Sequence, residues 1–228
     1  SACAYLKQQN IKVDLVYIDP PFASGANYAK KIYLRNEGKK QFDKDEKVIE
    51  NTVGEEVMYG DIWQKEDYLN WLYERLLSIK DVMSESSCIY LHLDWHIGHY
   101  AKILLDEIFG EINFINEIIW HYRTGNLAEK QFQKKHDTIL LYSKSDDYNF
   151  IPQEIKEYYF CIYGPGFKPS FEGRKSGKDE NGEFRISQLD DVWDISGVFT
   201  LSKEHIEYNT QKPEALINRI INVSSKQG

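Results

Sequence analysis

Cysteine is scarce: Cys3, Cys88 and Cys161 are the only three in 228 residues, and they lie far apart. An odd, scattered set excludes a disulfide framework and a zinc knuckle, and it fits a reducing compartment. Long apolar runs are missing as well. No stretch approaches the roughly 18 residues that a membrane-spanning helix needs, and the mean hydropathy is −0.56. The opening Ser1-Ala2-Cys3-Ala4-Tyr5 has neither the charged start nor the apolar stretch of a secretory signal. A cytoplasmic protein without membrane contact is therefore expected. The first residue is not Met, so the reading is of an excised or processed fragment. Positive charge is in deficit, with a net charge of −8 and a pI near 5.3. That argues against a surface coated in positive charge for nucleic acid, though not against a local basic groove.

What is present is enough to fold. Hydrophobic residues make up 42% and charged residues 28%, which suits one large domain, or one domain with an insertion. Val13-Asp14-Leu15-Val16-Tyr17-Ile18 reads as a strand buried on both faces of a parallel sheet. Asp19-Pro20-Pro21-Phe22 must then turn the chain, because two prolines cannot continue a central strand. Residues 23–62 are polar and read as a long loop, functional or disordered. Leu69, Leu72, Tyr73, Leu76, Ile79 and Met83 recur at helical spacing and predict a helix over 65–84. The segment 88–94 reads as the next strand and 96–109 as a second helix, stopped by Gly110. This alternation predicts an α/β sheet. Residues 114–120 and 138–142 are expected to pair as an antiparallel edge hairpin. From 146 to 204 the composition shifts towards Gly, Pro and scattered aromatics, which predicts an irregular insertion. A short helix over 213–225 closes the chain, with Pro213 suited to its first turn.

The sharpest local signal is Asp19-Pro20-Pro21-Phe22. It stands just past the carboxyl end of a buried strand, where open α/β sheets bind ligands. Asp19 supplies a carboxylate acceptor. Two rigid φ angles aim the Pro20 carbonyl as a second acceptor, and Phe22 supplies an aromatic face. Two acceptors and a ring match an exocyclic amino group on a flat heterocycle. The plain alternative is that Asp19 caps a turn and Phe22 belongs to the core.

These residues, with six further segments in order, resemble the β-group of amino-methylating DNA methyltransferases, adenine-N6 enzymes of restriction-modification type. The tetrapeptide matches the catalytic motif of that group. Tyr59-Gly60-Asp61-Ile62-Trp63, Ile89-Tyr90-Leu91-His92-Leu93-Asp94 and Glu107-Ile108-Phe109-Gly110-Glu111 follow, and then Glu117-Ile118-Ile119-Trp120. The segment 135–144 is similar to the group's late-core hairpin, and 209–216 to the segment beside the cofactor. One departure stands out: the chain stops before the glycine-rich loop that cradles the methionine part of S-adenosylmethionine. The resemblance therefore implies a fragment that does not turn over alone.

The resemblance further implies an incomplete Rossmann-like α/β methyltransferase core over 1–145. A target-recognition insertion at 146–204 and a cofactor-side return at 205–228 complete the organisation. Transfer would go directly from S-adenosylmethionine to adenine N6 in double-stranded DNA, after base flipping. The catalytic set is Asp19, Pro20, Pro21 and Phe22, and the cofactor set is Asp19, Asp94, Thr210, Gln211, Lys212 and Pro213. Lys30, Lys31, Arg35, Arg123, Lys134, Lys135, Lys168, Arg174, Lys175 and Lys178 flank the pocket as candidate phosphate contacts. No metal site is expected: His92, His96 and His99 span a strand end and a helix start and make no regular metal face. A restriction subunit and a second copy of the chain are the protein partners the resemblance allows. Cytosine-N4 methylation and a non-catalytic DNA-binding subunit are the rival readings.

Overall fold

The computed structural model describes residues 2–22, 27–33, 52–60, 65–122, 128–165, 175–199, 202–206, 208 and 210–226, with backbone alone for 27–33, 52–60, 160 and 163. In chain order the elements are α1 (Ala2–Gln8), β1 (Val13–Ile18), β2 (Asn27–Tyr33), β3 (Thr52–Gly60), α2 (Lys65–Val82), β4 (Met83–Leu93) and α3 (Gly98–Phe109). Then come β5 (Phe114–His121), β6 (His136–Ser143), β7 (Glu154–Tyr158), α4 (Tyr159–Tyr163), β8 (Ser176–Asp179), β9 (Gly182–Gln188), β10 (Val192–Asp194) and α5 (Glu214–Ser224).

The central sheet runs β1-β4-β6-β5-β10. β1 is parallel to β4 and β10 is parallel to β5, while β6 runs antiparallel to both of its neighbours. The alternation of β4 divides the core in two. Ile89, Leu91 and Leu93 face α2 and α3, where they meet Tyr68, Leu72, Leu76, Ala101 and Leu105. Cys88 and Tyr90 face the other way, towards Trp120, Trp193, Leu216 and Ile220. Both faces of β4 are therefore covered, as a near-continuous apolar strand requires. Each large side chain buried here is worth about 1.5–3 kcal/mol of apolar transfer. This is a Rossmann-like α/β core with one reversed strand.

Several expectations change in detail. β1 is mostly half-buried rather than buried, because among the described residues only β4 pairs with it. β4 begins five residues earlier than the apolar run suggested. Its first part is polar and braced locally, with Ser84 Oγ donating to Asp14 at 2.6 Å and Ser87 Oγ donating to the Ser84 carbonyl at 2.6 Å. The 114–120 and 138–142 pair is antiparallel, but β6 is interior and β10 holds the outer edge.

The polar segment 23–62, read as loop, contains β2 and β3, paired antiparallel as a sheet of their own. The region 146–204 is not irregular throughout. β7, β9 and β8 form a three-stranded sheet, and β10 belongs to the core. Three residues of strand are too few to read as a periodic pattern. Gly110 does end α3: its φ is 93°, and its N–H donates to the Asp106 carbonyl. Pro213 stands one place before α5 as its N-cap. The first helical amide, Glu214 N–H, is met by the Glu204 carboxylate at 3.0 Å.

Candidate active site

Four chain segments meet at one edge of the central sheet. β1 and β4 run parallel and both end there, at Asp19 and Asp94. β6 is reversed, so it starts there, with Leu93 opposite Thr138. β5 ends there too, with His121 opposite His136. The reversal of one strand thus brings Asp137, 118 positions from Asp19 in sequence, to the same end of the sheet.

Asp19, Pro20, Pro21 and Phe22 line a cavity of about 310 Å³, together with Tyr208, Thr210 and Lys212. That is at the lower end of ligand-pocket size. Lys212 Nζ donates to Asp19 Oδ2 and, at 3.3 Å, to the Thr210 carbonyl. It stands 6.0 Å from the Phe22 ring. Asp19 Oδ1 lies 3.9 Å from His92 Nδ1, beyond hydrogen-bond reach, and has no hydrogen-bond donor among the described residues. Phe22 packs against the core and also lines the cavity.

Beneath this corner lies a network that the sequence did not reveal. His92 is fully buried. Its Nδ1 is 2.7 Å from the Tyr17 hydroxyl and its Nε2 is 3.2 Å from Asp137 Oδ2. The Tyr122 hydroxyl donates to Asp137 Oδ1 at 3.1 Å. Burial, reinforced by Asp19 and Asp137, pushes the Tyr17 hydroxyl above its ordinary range. Burial, followed by Asp137, does the same for Tyr122. Both phenols therefore stay protonated and serve as donors. The available signal was a polar ring on the buried face of β4, two places after Tyr90, since such a ring demands partners.

The remaining candidates separate. Asp94 does not line the cavity. Its carboxylate accepts the His96 N–H at 2.9 Å and pairs with His96 Nδ1 at 2.5 Å, which caps the turn after β4. Gln211 braces the approach to α5, donating to the Glu204 carbonyl at 2.6 Å and accepting from Ile206 N–H at 3.0 Å. Pro213 is buried at the helix start. The Lys134 ammonium sits 3.5 Å from the centre of the Trp95 ring, and Lys135 precedes β6. Lys175 pairs with Glu154 at 3.2 Å beside the three-stranded sheet, and Lys178 is exposed on β8. Lys30 and Lys31 lie in β2. Arg35, Arg123, Lys168 and Arg174 fall outside the described residues. Among the described residues no cluster of three His, Cys, Asp or Glu could hold a metal ion.

The defining pattern of one family, DNA methylases of N6/N4 type, matches residues 13–228. The chain belongs to the N6/N4 DNA methylase family. It is 30% identical over 169 residues to the type II methyltransferase M.BglII of Bacillus subtilis, covering 68% of this chain and 44% of that protein. Against the DNA adenine methyltransferase YhdJ of Escherichia coli K12 it is 23% identical over 219 residues, covering 95% of this chain and 62% of YhdJ. The chain thus spans less than two thirds of either relative. Among solved structures, the cytosine-N4-specific PvuII DNA methyltransferase superposes with a TM-score of 0.51 at 10% identity, covering 99% of this chain and 68% of that one. That likeness concerns the fold alone.

S-adenosylmethionine is the methyl donor of the N6/N4 DNA methylases. The cavity suits part of such a ligand. The Lys212 ammonium and the Thr210 side chain could receive a carboxylate, while the Phe22 ring offers an apolar wall.

Proposed function

We propose that this chain carries the amino-group pocket of an enzyme that methylates adenine N6 in DNA. The observation that carries this reading is the corner itself: Asp19, Pro20, Pro21 and Phe22 line one cavity, with one Asp19 oxygen that no described residue hydrogen-bonds. S-adenosylmethionine supplies an electrophilic methyl group on sulfonium. A base turned out of the duplex enters with its ring against Phe22. Asp19 Oδ1 and the Pro20 carbonyl accept its two amino hydrogens and turn the nitrogen lone pair outward. Lys212, on Oδ2, holds the carboxylate in place. When bound, S-adenosylmethionine would give its methyl group to that lone pair and leave as the thioether, and the surplus amino proton would pass through Asp19 Oδ1 to solvent. The residues of this chain act by position and by polarisation.

Adenine is favoured by the aspartate in the first motif position and by the likeness to an adenine methyltransferase. The rival stays open because the family takes in both N6 and N4 enzymes. Digestion of duplex DNA methylated by the full-length protein, followed by nucleoside analysis, tests the proposal. N6-methyladenine is the expected product. N4-methylcytosine would move the reading to its rival, and no methylated nucleoside would point to a DNA-binding subunit.

A further inference from the structure

A neutral imidazole sealed from water must give away one proton and receive another, so its partners decide its tautomer. For a neutral His92 the partners leave one consistent arrangement. Asp137 is a carboxylate that already accepts from Tyr122 at one oxygen, so its second oxygen takes the Nε2 proton. The Tyr17 hydroxyl then donates to the unprotonated Nδ1 at 2.7 Å. Every polar atom of the set Tyr122, Asp137, His92 and Tyr17 has a partner.

The rings around His92 fix it further. Its centroid lies 5.3 Å from Trp120, 5.8 Å from Phe22 and 6.1 Å from Tyr17. Trp120 is itself anchored, its Nε1 donating to the Ile195 carbonyl at 2.8 Å. The held end of this chain is β5 and β6, deep in the sheet. The other end is β1, an outer strand paired on one side among the described residues and only half-buried. Tyr17 is two places before Asp19, so both side chains leave the backbone towards the same face. Whatever holds the Tyr17 hydroxyl also limits where the Asp19 carboxylate can stand.

We propose that His92, as the Nε2–H tautomer set by Asp137, is a positioning residue that fixes the Asp19-Pro20-Pro21-Phe22 corner through its hydrogen bond with Tyr17 and its packing under Phe22. The inference rests on the amino-methyltransferase reading above. It assigns His92 no contact with base or methyl donor. Its effect falls on the rate of the bound complex, since an error of about 1 Å in a reacting group costs about 10²-fold.

The test uses the full-length protein. His92→Leu removes both hydrogen bonds, His92→Asn keeps an amide near the position of Nδ1, and Tyr17→Phe removes the hydroxyl alone. Single-turnover methyl transfer and duplex affinity are measured for each, with thermal melting as a check on folding. His92→Leu should slow transfer by about 10²-fold with duplex affinity little changed, and His92→Asn should recover part of that loss. Tyr17→Phe leaves the imidazole in place and should still slow transfer, so the test survives a His92→Leu chain that fails to fold. Nitrogen-15 spectra of labelled imidazoles should show His92 protonated at Nε2. Folded variants that transfer methyl at the wild-type rate, or a His92 protonated at Nδ1, would overturn the inference and leave the function standing. A wild-type protein that transfers no methyl group would instead bring down the function on which it rests.

Discussion

Lys212 and Asp19 form an ion pair across 193 positions of sequence, the lysine donating to Oδ2 of the carboxylate. Their side chains are 15% and 23% exposed, so the pair sits in the wall of the cavity rather than in open water. Partial burial makes such a contact directional and raises the cost of losing one partner. It also divides the labour of the carboxylate, since one oxygen is held by Lys212 while the other, on the proposed function, would accept from a substrate amino group.

Asp19→Ala in the full-length protein is expected to reduce methyl transfer by about 10²–10³-fold, the usual cost of losing one positioned polar group in an active site. Duplex affinity should be little changed, because phosphate contacts supply most of it. Comparing single-turnover rates with binding isotherms checks both halves. Full activity in the variant would remove Asp19 from its assigned role.

Lys212→Met tests the other half of the pair. A charged hydrogen bond is worth about 1.5–3 kcal/mol, so loss of an ammonium–carboxylate contact with S-adenosylmethionine should weaken donor binding by about tenfold or more. Calorimetric titration of the donor into the full-length variant gives the number. Unchanged donor affinity would confine Lys212 to orienting Asp19.

Lys134 and Lys135 lie just before β6, at the sheet end that carries the cavity. If both touch DNA phosphates, Lys134→Gln with Lys135→Gln should flatten the dependence of log affinity on log salt by about 1.8, at about 0.9 per phosphate. The loss should be equal for specific and random duplexes. A salt slope identical to that of the wild type would place both lysines off the DNA.

Asp106 offers a stability test away from the site. Burial by itself would raise its carboxyl, but hydrogen bonds from Lys102 and the Tyr142 hydroxyl outweigh that and hold it below the ordinary range. A carboxyl lowered on folding stabilises the protein above its unfolded value, near 4. That stabilisation fades as the pH falls through the lower, folded value. Asp106→Asn should therefore cost about 1–2 kcal/mol at pH 7 and progressively less under acid. Urea melts at pH 7 and pH 3 measure the difference, and an equal cost at both would refute the linkage.

Two described cysteines should differ in reactivity. Burial pushes the Cys88 thiol up to about 11, and the residue has no exposed surface. Cys161 is exposed. A disulfide reagent at pH 8 should titrate Cys161 under native conditions and reach Cys88 only after denaturation. Rapid labelling of Cys88 in the folded protein would contradict the packing of β4.

Much of the architecture was legible along the chain. The apolar stretch before Asp19 marked β1, and residues three and four apart marked α2 and α3, because those patterns follow from the geometry of one element. The corner at 19–22 was legible for the same reason: two prolines end a strand wherever they occur. Elements with weak local patterns were misread. β2 and β3 mix polar and apolar residues without a regular alternation and, among the described residues, pair only with each other, so nothing separates them from a loop in the sequence. β10 is three residues long and becomes a strand only beside β5.

The amino-acid sequence by itself determined the layered α/β core and the rigid acceptor corner, since each depends on the local steric and hydrophobic preferences of neighbouring residues. Tertiary structure alone decided that Lys212 reaches Asp19, that Asp94 turns to His96, and that Tyr17, His92, Asp137 and Tyr122 join in one buried network. Those pairings depend on strand order and on the reversal of β6, and hydrogen bonds between distant residues exist only once the sheet has brought their atoms within about 3 Å.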